Sequence, residues 1–96
     1  MTDILDLGGR VALVTGAGQG VGRQIALHLA AHNAGGVAVN DYVLDRAEAV
    51  AAEIKAAGGK ALPVQADVSN LNSVKAMVAK AEKEFGQQVG VLVNNA

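Results

Sequence analysis

The chain has 96 residues, a net charge of −1 and 51% apolar residues, which fits one small domain with a buried core and argues against a disordered segment. Both charge signs are spread along it, so no basic patch marks a nucleic-acid partner, and the absence of cysteine removes disulfides and thiolate metal sites. Met1-Thr2-Asp3-Ile4 lacks the basic start of a signal peptide, and no apolar run reaches the roughly 18 residues of a membrane span, so a cytoplasmic protein with no membrane partner is expected.

With one Tyr, one Phe and no Trp, the core has to be built from Val, Leu, Ile and Ala. Residues 1–9 read as a lead-in, with Gly8-Gly9 as the turn before the first strand at residues 10–14. That strand is apolar without alternation, as a parallel strand covered on both faces should be. It runs into Thr15-Gly16-Ala17-Gly18-Gln19-Gly20-Val21-Gly22, and an apolar-periodic segment follows. This is the pattern of strand, phosphate loop and helix. A glycine allows the sharp turn, another lets a pyrophosphate approach the backbone, and Gly22 lets the helix lie close to the strand. The helix start at about Gly20 aims free N–H groups and its positive dipole end at the anion. Thr15 is expected to pin this turn through its hydroxyl.

The first helix is predicted over residues 20–32, with Val21, Ile25 and Leu29 as its apolar stripe and Asn33-Ala34-Gly35-Gly36 as its end. His28 and His32 share a face, but no third ligand joins them, so packing is expected and no metal site. The second strand covers residues 37–40 and closes on Asp41. The second helix covers residues 45–57, with Asp45 as N-cap and Glu48 completing a capping box. Residues 60–65 give a third strand in which Pro63 is tolerable only at a sheet edge. Ala66-Asp67-Val68 follow, and Ser69 or Asn70 caps a third helix over residues 71–85. Leu71, Val74, Val78, Ala81 and Phe85 mark its buried face, and Gly86 stops it. Residues 89–93 form the fourth strand, followed by Asn94-Asn95-Ala96.

The order β-α-β-α-β-α-β with crossovers of this size predicts an α/β fold, a parallel sheet with helices on both faces; a Rossmann-like doubly wound sheet of this kind has the strand order 3-2-1-4. The test of a dinucleotide site is a carboxylate about 20 residues beyond the glycines. Asp41 meets it, 19 residues after Gly22. There it would accept hydrogen bonds from both ribose hydroxyls and repel a 2′-phosphate, so NAD is expected in preference to NADP. Gln19 agrees, since no basic loop residue waits for an extra phosphate.

The spacing of Gly16, Gly20 and Gly22 is G-x-x-x-G-x-G, which differs from the G-x-G-x-x-G fingerprint. Here the chain resembles the short-chain dehydrogenase/reductase family, whose T-G-x-x-x-G-x-G loop fits Thr15 to Gly22 residue for residue. Asp67-Val68 resemble the acid and neighbour that the family sets against the adenine. Val91-Leu92-Val93-Asn94-Asn95-Ala96 resemble its N-N-A-G motif, cut off before the glycine. The resemblance implies a cofactor site of Gly16, Gln19, Gly20, Val21, Gly22, Asp41, Asp67, Val68, Asn95 and Ala96. It makes one of Asn94 and Asn95 a tie between strands and the other a cofactor-lining residue, with Asn95 favoured for the lining role. Two positions depart from the family. Gly90 stands where an acid is common, and the Asn33 to Gly36 turn is about one residue longer than usual; both leave room for looser packing.

The resemblance covers only the cofactor half. The family's Ser and Tyr-x-x-x-Lys lie beyond Ala96; here the single tyrosine is Tyr42 and position 46 is Arg. The chain therefore reads as residues 1–96 of a longer NAD(P)-binding Rossmann domain. The implied parent moves hydride between nicotinamide and a secondary alcohol or ketone, with a hydroxyacyl or ketoacyl thioester or a cyclic alcohol as the substrate classes the family suggests, and is a homo-oligomer acting on a small molecule. One alternative is a nucleotide-binding fragment without catalysis. Another is an S-adenosylmethionine-dependent methyltransferase, against which Val14 stands where that class places an acid. The fourth strand should form a bare edge, making the isolated chain marginally stable or prone to associate.

Overall fold

The computed structural model describes residues 6–95. Four strands, β1 (Val11–Val14), β2 (Gly36–Asp41), β3 (Ala61–Gln65) and β4 (Val89–Val93), alternate with three helices, α1 (Gly20–Ala31), α2 (Leu44–Ala56) and α3 (Leu71–Phe85). The strands form one parallel sheet in the order β3-β2-β1-β4, as the sequence predicts.

Every residue of β1 and β2 is buried. The alternation of the pleat divides their side chains between two cores. Val14, Val37 and Val39 pack with Ala26 of α1 and with Val50, Ala51 and Ile54 of α2. Leu13 and Ala38 point the other way and meet Met77 and Ala81 of α3. A strand with helices over both faces needs no polar face, which is why these runs are apolar without a period. Pro63 lies in β3, which pairs only with β2, so its missing N–H falls at the sheet edge.

At the opposite edge, β4 pairs with β1 through a register shift. Val11 faces Val89 and Ala12 faces Val91, so Gly90 is the extra residue of a bulge. Among the described residues no further strand lies beyond β4, and Leu92 is 63% exposed.

Several local expectations need correction. α2 is capped at Val43, not Asp45, and Val43 makes no side-chain cap bond. The Asp41 carboxylate accepts the Val43 N–H at 2.9 Å, which fixes the turn two residues on and starts the helix before Asp45 is reached. Asp45 instead lies in the first turn, where its charge complements the helix dipole. α1 buries Gly22 and Ala26, while Val21 is 68% exposed. The smallest residues face the sheet because they let the helix sit closest to it. In α3, Leu71 is 67% exposed, and Met77 takes the central buried place. Asn70 caps this helix, accepting the Ser73 N–H at 3.1 Å.

The turn after α1 is laced rather than loose. Asn33 adopts a left-handed φ of 66°, and its carbonyl accepts the Gly9 N–H at 2.8 Å. Its amide donates to Asp6 at 3.0 Å, and Gly35 N–H donates to the Arg10 carbonyl at 2.9 Å. These bonds tie the lead-in to the C-terminal end of α1.

Candidate cofactor-binding site

The chain segments leaving the C-terminal ends of β1, β2, β3 and β4 gather at one end of the sheet. Gly16 and Gly20 hold φ values of 60° and 58°, a region that favours glycine. At Gly22 an added Cβ would run into the Gly16 carbonyl and lie 2.5 Å from Asn95 Nδ2. The first turn of α1 therefore rests directly on the glycine loop. Gln19, at the N-cap, is exposed and makes no side-chain capping bond, so it leaves the first-turn N–H groups of α1 uncapped.

The loop is tied on both sides. Toward β4, Thr15 N–H donates to the Val93 carbonyl at 3.0 Å, and the Thr15 hydroxyl accepts the Asn95 N–H at 2.9 Å. The same hydroxyl donates to Asn94 Oδ1 at 3.2 Å, and Asn95 Nδ2 donates to the Gly16 carbonyl at 3.3 Å. Thr15 pins the turn as expected, and both asparagines tie strand ends together. Toward β2, Ala17 N–H donates to the Asn40 carbonyl at 2.7 Å. The Asn40 side chain, 1% exposed, accepts the Gly16 N–H at 3.4 Å. It also donates to the carbonyls of Val64 at 3.1 Å and Ala66 at 3.4 Å. One amide thus joins the glycine loop to the end of β3. Sequence reasoning passed over Asn40; its signal was a polar residue inside a strand whose other side chains are apolar up to Asp41.

Asp41 closes β2 and is only 6% exposed. Its Oδ2 accepts the Gly18 N–H at 3.0 Å, and its Oδ1 accepts the Val43 N–H at 2.9 Å. A carboxylate oxygen has room for more than one donor, so both keep acceptor capacity. Asp41 lines a cavity of about 150 Å³ together with Gly16, Tyr42, Asp67 and Val68. Asp67 is exposed and held by Ser69, whose hydroxyl and N–H donate to Oδ1 at 2.6 Å and 2.9 Å. The Ser69 hydroxyl, and next its N–H, hold the Asp67 carboxyl below its usual range. Val68 gives the cavity an apolar wall.

The structure thus brings Gly16, Asp41, Asp67 and Val68 around one cavity, with Gly20, Gly22 and Asn95 at the adjoining loop. Gln19 and Val21 are exposed at the start of α1, and Ala96 falls outside the described residues. His28 and His32 stack with ring centroids 4.1 Å apart, and His32 Nδ1 lies 2.6 Å from the His28 carbonyl. Among the described residues no group of three or more His, Cys, Asp or Glu gathers to hold a metal, and no helix is long and apolar enough to cross a membrane.

Comparison with known proteins adds independent findings. The chain is 51% identical over 87 residues to the 3-oxoacyl-acyl-carrier-protein reductase FabG of Staphylococcus epidermidis, covering 88% of this chain and 34% of that protein. It is 42% identical over 103 residues to an NADPH-dependent aldehyde reductase-like chloroplastic protein of Arabidopsis thaliana, covering 96% of this chain and 37% of that one. The fold superposes with a TM-score of 0.89 on a 7α-hydroxysteroid dehydrogenase complexed with NADH and 7-oxo glycochenodeoxycholic acid, at 35% identity, covering 98% of this chain and 37% of that one. The chain thus spans about a third of the length of these relatives. The sequence model of the short chain dehydrogenase family matches residues 10–96, from one residue before β1 onward, and the chain belongs to that family.

Proposed function

We propose that this chain forms the NAD-binding part of an oxidoreductase that moves hydride between nicotinamide and a secondary alcohol or ketone. The observation that carries the reading is the buried Asp41 carboxylate, set on the wall of a cavity that it shares with Gly16, Asp67 and Val68. A glycine turn that an N–H-rich helix start adjoins, a carboxylate and an apolar wall suit a dinucleotide's phosphates, ribose and adenine in turn. Gly16, Gly20 and Gly22 would admit the pyrophosphate, with Gln19 and Val21 beside it at the helix start. Asp41 would accept the ribose hydroxyls, and Asp67 and Val68 would border the adenine. Asn95 and Ala96 would line the cofactor further along. Nicotinamide, when bound, supplies the hydride acceptor or donor.

The relatives named above differ in cofactor, one titled as NADPH-dependent and one complexed with NADH. The negative charge of Asp41 favours the ribose without a 2′-phosphate. A ketoacyl or hydroxyacyl compound is the substrate class proposed, in keeping with the FabG likeness. The whole protein is proposed to be a cytoplasmic homo-oligomer. Residues 1–96 contain no Tyr-x-x-x-Lys pair to handle the proton, so on this reading they bind cofactor without turning over substrate.

Asp41→Ala tests the reading. Because Asp41 also holds Gly18 and Val43, its loss weakens the loop for either cofactor, so the informative quantity is the ratio of affinities. Hydrogen bonds to a charged group contribute about 1.5–3 kcal/mol, so the NAD preference should fall by about tenfold or more. Titration calorimetry with NAD and NADP measures it. An unchanged ratio removes Asp41 from the ribose.

A further inference from the structure

Gly18 differs from Gly16 and Gly20, and, like Gly22, it is held to glycine by contact. Its φ lies outside the positive region that Gly16 and Gly20 adopt, so backbone conformation does not demand glycine there. Contact does. A Cβ at position 18 would lie 2.5 Å from Asp41 Oδ2, 2.8 Å from Asp41 Cγ and 2.6 Å from Arg46 Cβ. Two of these atoms belong to the Asp41 carboxylate, which lines the cavity. The third is fixed to the first turns of α2 and cannot swing aside. Moving the carboxylate relieves two of the three contacts, and the loop must draw back from the third.

In the structure it is gripped from both sides, Oδ2 by the Gly18 N–H at 3.0 Å and Oδ1 by the Val43 N–H at 2.9 Å. The bare backbone at position 18 lets the loop close onto it. A hydrogen bond weakens steeply as distance and angle depart from their optimum, so a displaced carboxylate keeps its charge and loses its aim.

We propose that Gly18 is a specificity-determining residue: by admitting the Asp41 carboxylate against the loop, it fixes the position from which that acid selects a free ribose over a 2′-phosphorylated one. This rests on the reading of Asp41 given above. Gly18 acts through Asp41 and is a positioning residue that need not touch the nucleotide.

The test is a double-mutant cycle in the whole gene product: wild type, Gly18→Ala, Asp41→Ala and the double variant, each titrated with NAD and with NADP. Gly18→Ala should narrow the NAD preference by about tenfold, and the same change should have no further effect on the ratio once Asp41 is alanine. A ratio unchanged by Gly18→Ala overturns the proposal. So does an equal narrowing in both backgrounds, which would place the effect in the loop. Wild-type protein without NAD preference overturns the reading of Asp41 and this inference together. Preference that Asp41→Ala abolishes and Gly18→Ala spares overturns this inference alone. Should Gly18→Ala not fold, Gly18→Ala/Arg46→Gly compared with Arg46→Gly removes the fixed obstacle and leaves only the carboxylate in the methyl's way. The same narrowing is expected there, and its absence counts against the proposal.

Discussion

Asn40→Leu removes the one buried amide that joins three strand ends. The side chain is 1% exposed, and leucine has the same branching and number of heavy atoms with bulkier methyl ends, so no cavity opens. What changes is the polar balance. The Val64 carbonyl loses a donor at 3.1 Å, the Ala66 carbonyl one at 3.4 Å, and the Gly16 N–H an acceptor at 3.4 Å. A buried polar group left without its partner costs about 1–3 kcal/mol, the two longer bonds counting toward the lower end. Together that is about 3–4 kcal/mol, of which the added apolar burial offsets about 1. The net loss of about 2–3 kcal/mol is a large share of a typical domain's 5–15. Urea denaturation of the whole gene product should show its midpoint lowered by on the order of 1 M with little change in slope. NAD affinity should also fall, because Gly16 loses its anchor to β2. A midpoint within about 0.3 M of wild type would refute the argument that this amide holds the loop to β3.

Gly90→Asp should stabilise the chain. The atoms nearest a Cβ there are Arg10 Cβ, Cγ and Cδ, at 3.3–3.4 Å, so the exposed Arg10 side chain need give by only a few tenths of an ångström, and a carboxylate at position 90 stands beside its guanidinium for an exposed ion pair. Reduced freedom of the unfolded chain and the pair together contribute about 1 kcal/mol, a rise of a few degrees in melting temperature; a fall would mean the bulge needs glycine. Ser69→Ala should return the Asp67 carboxyl toward its usual range, followed by carboxyl 13C chemical shift against pH, and no movement would remove Ser69 as the cause. The sign follows from linkage. A carboxyl lowered in the folded state stabilises above its unfolded pKa, and that contribution is lost as pH falls through the folded one. The variant should therefore show a weaker loss of stability on acidification.

The sheet was legible because its signals are physical necessities. Strands buried on both faces cannot carry polar alternation, and Pro63 allowed only an edge. The glycine loop was legible for the same reason, since Gly16 and Gly20 hold left-handed conformations that favour glycine. Local rules failed where a distant group took over their task. Asp45 and Glu48 carry a capping pattern, yet α2 starts earlier because Asp41, across the turn, already holds Val43. The apolar count on α1 favoured Val21, whereas contact with the loop selects the residue with no side chain at all, Gly22. The turn from Asn33 to Gly36 read as slack because its partners, Asp6, Gly9 and Arg10, lie more than twenty residues away. Asn40 was hidden by the same separation, its side-chain partners lying in two other segments, the glycine loop and the end of β3.

The hydrogen bonds from Asn95 to Thr15 and Gly16 span 80 and 79 residues of sequence. Closing loops of that length costs entropy that is repaid only as β4 pairs with β1, so such contacts come late in folding. The glycine turn is written in eight consecutive residues, yet it cannot be finished until the segment at Asn94 and Asn95 arrives. During synthesis, the first strand and helix emerge long before that, with Thr15 and the Gly16 carbonyl still facing water. A nascent chain released before Asn95 should therefore carry every glycine of the loop and still hold nucleotide poorly.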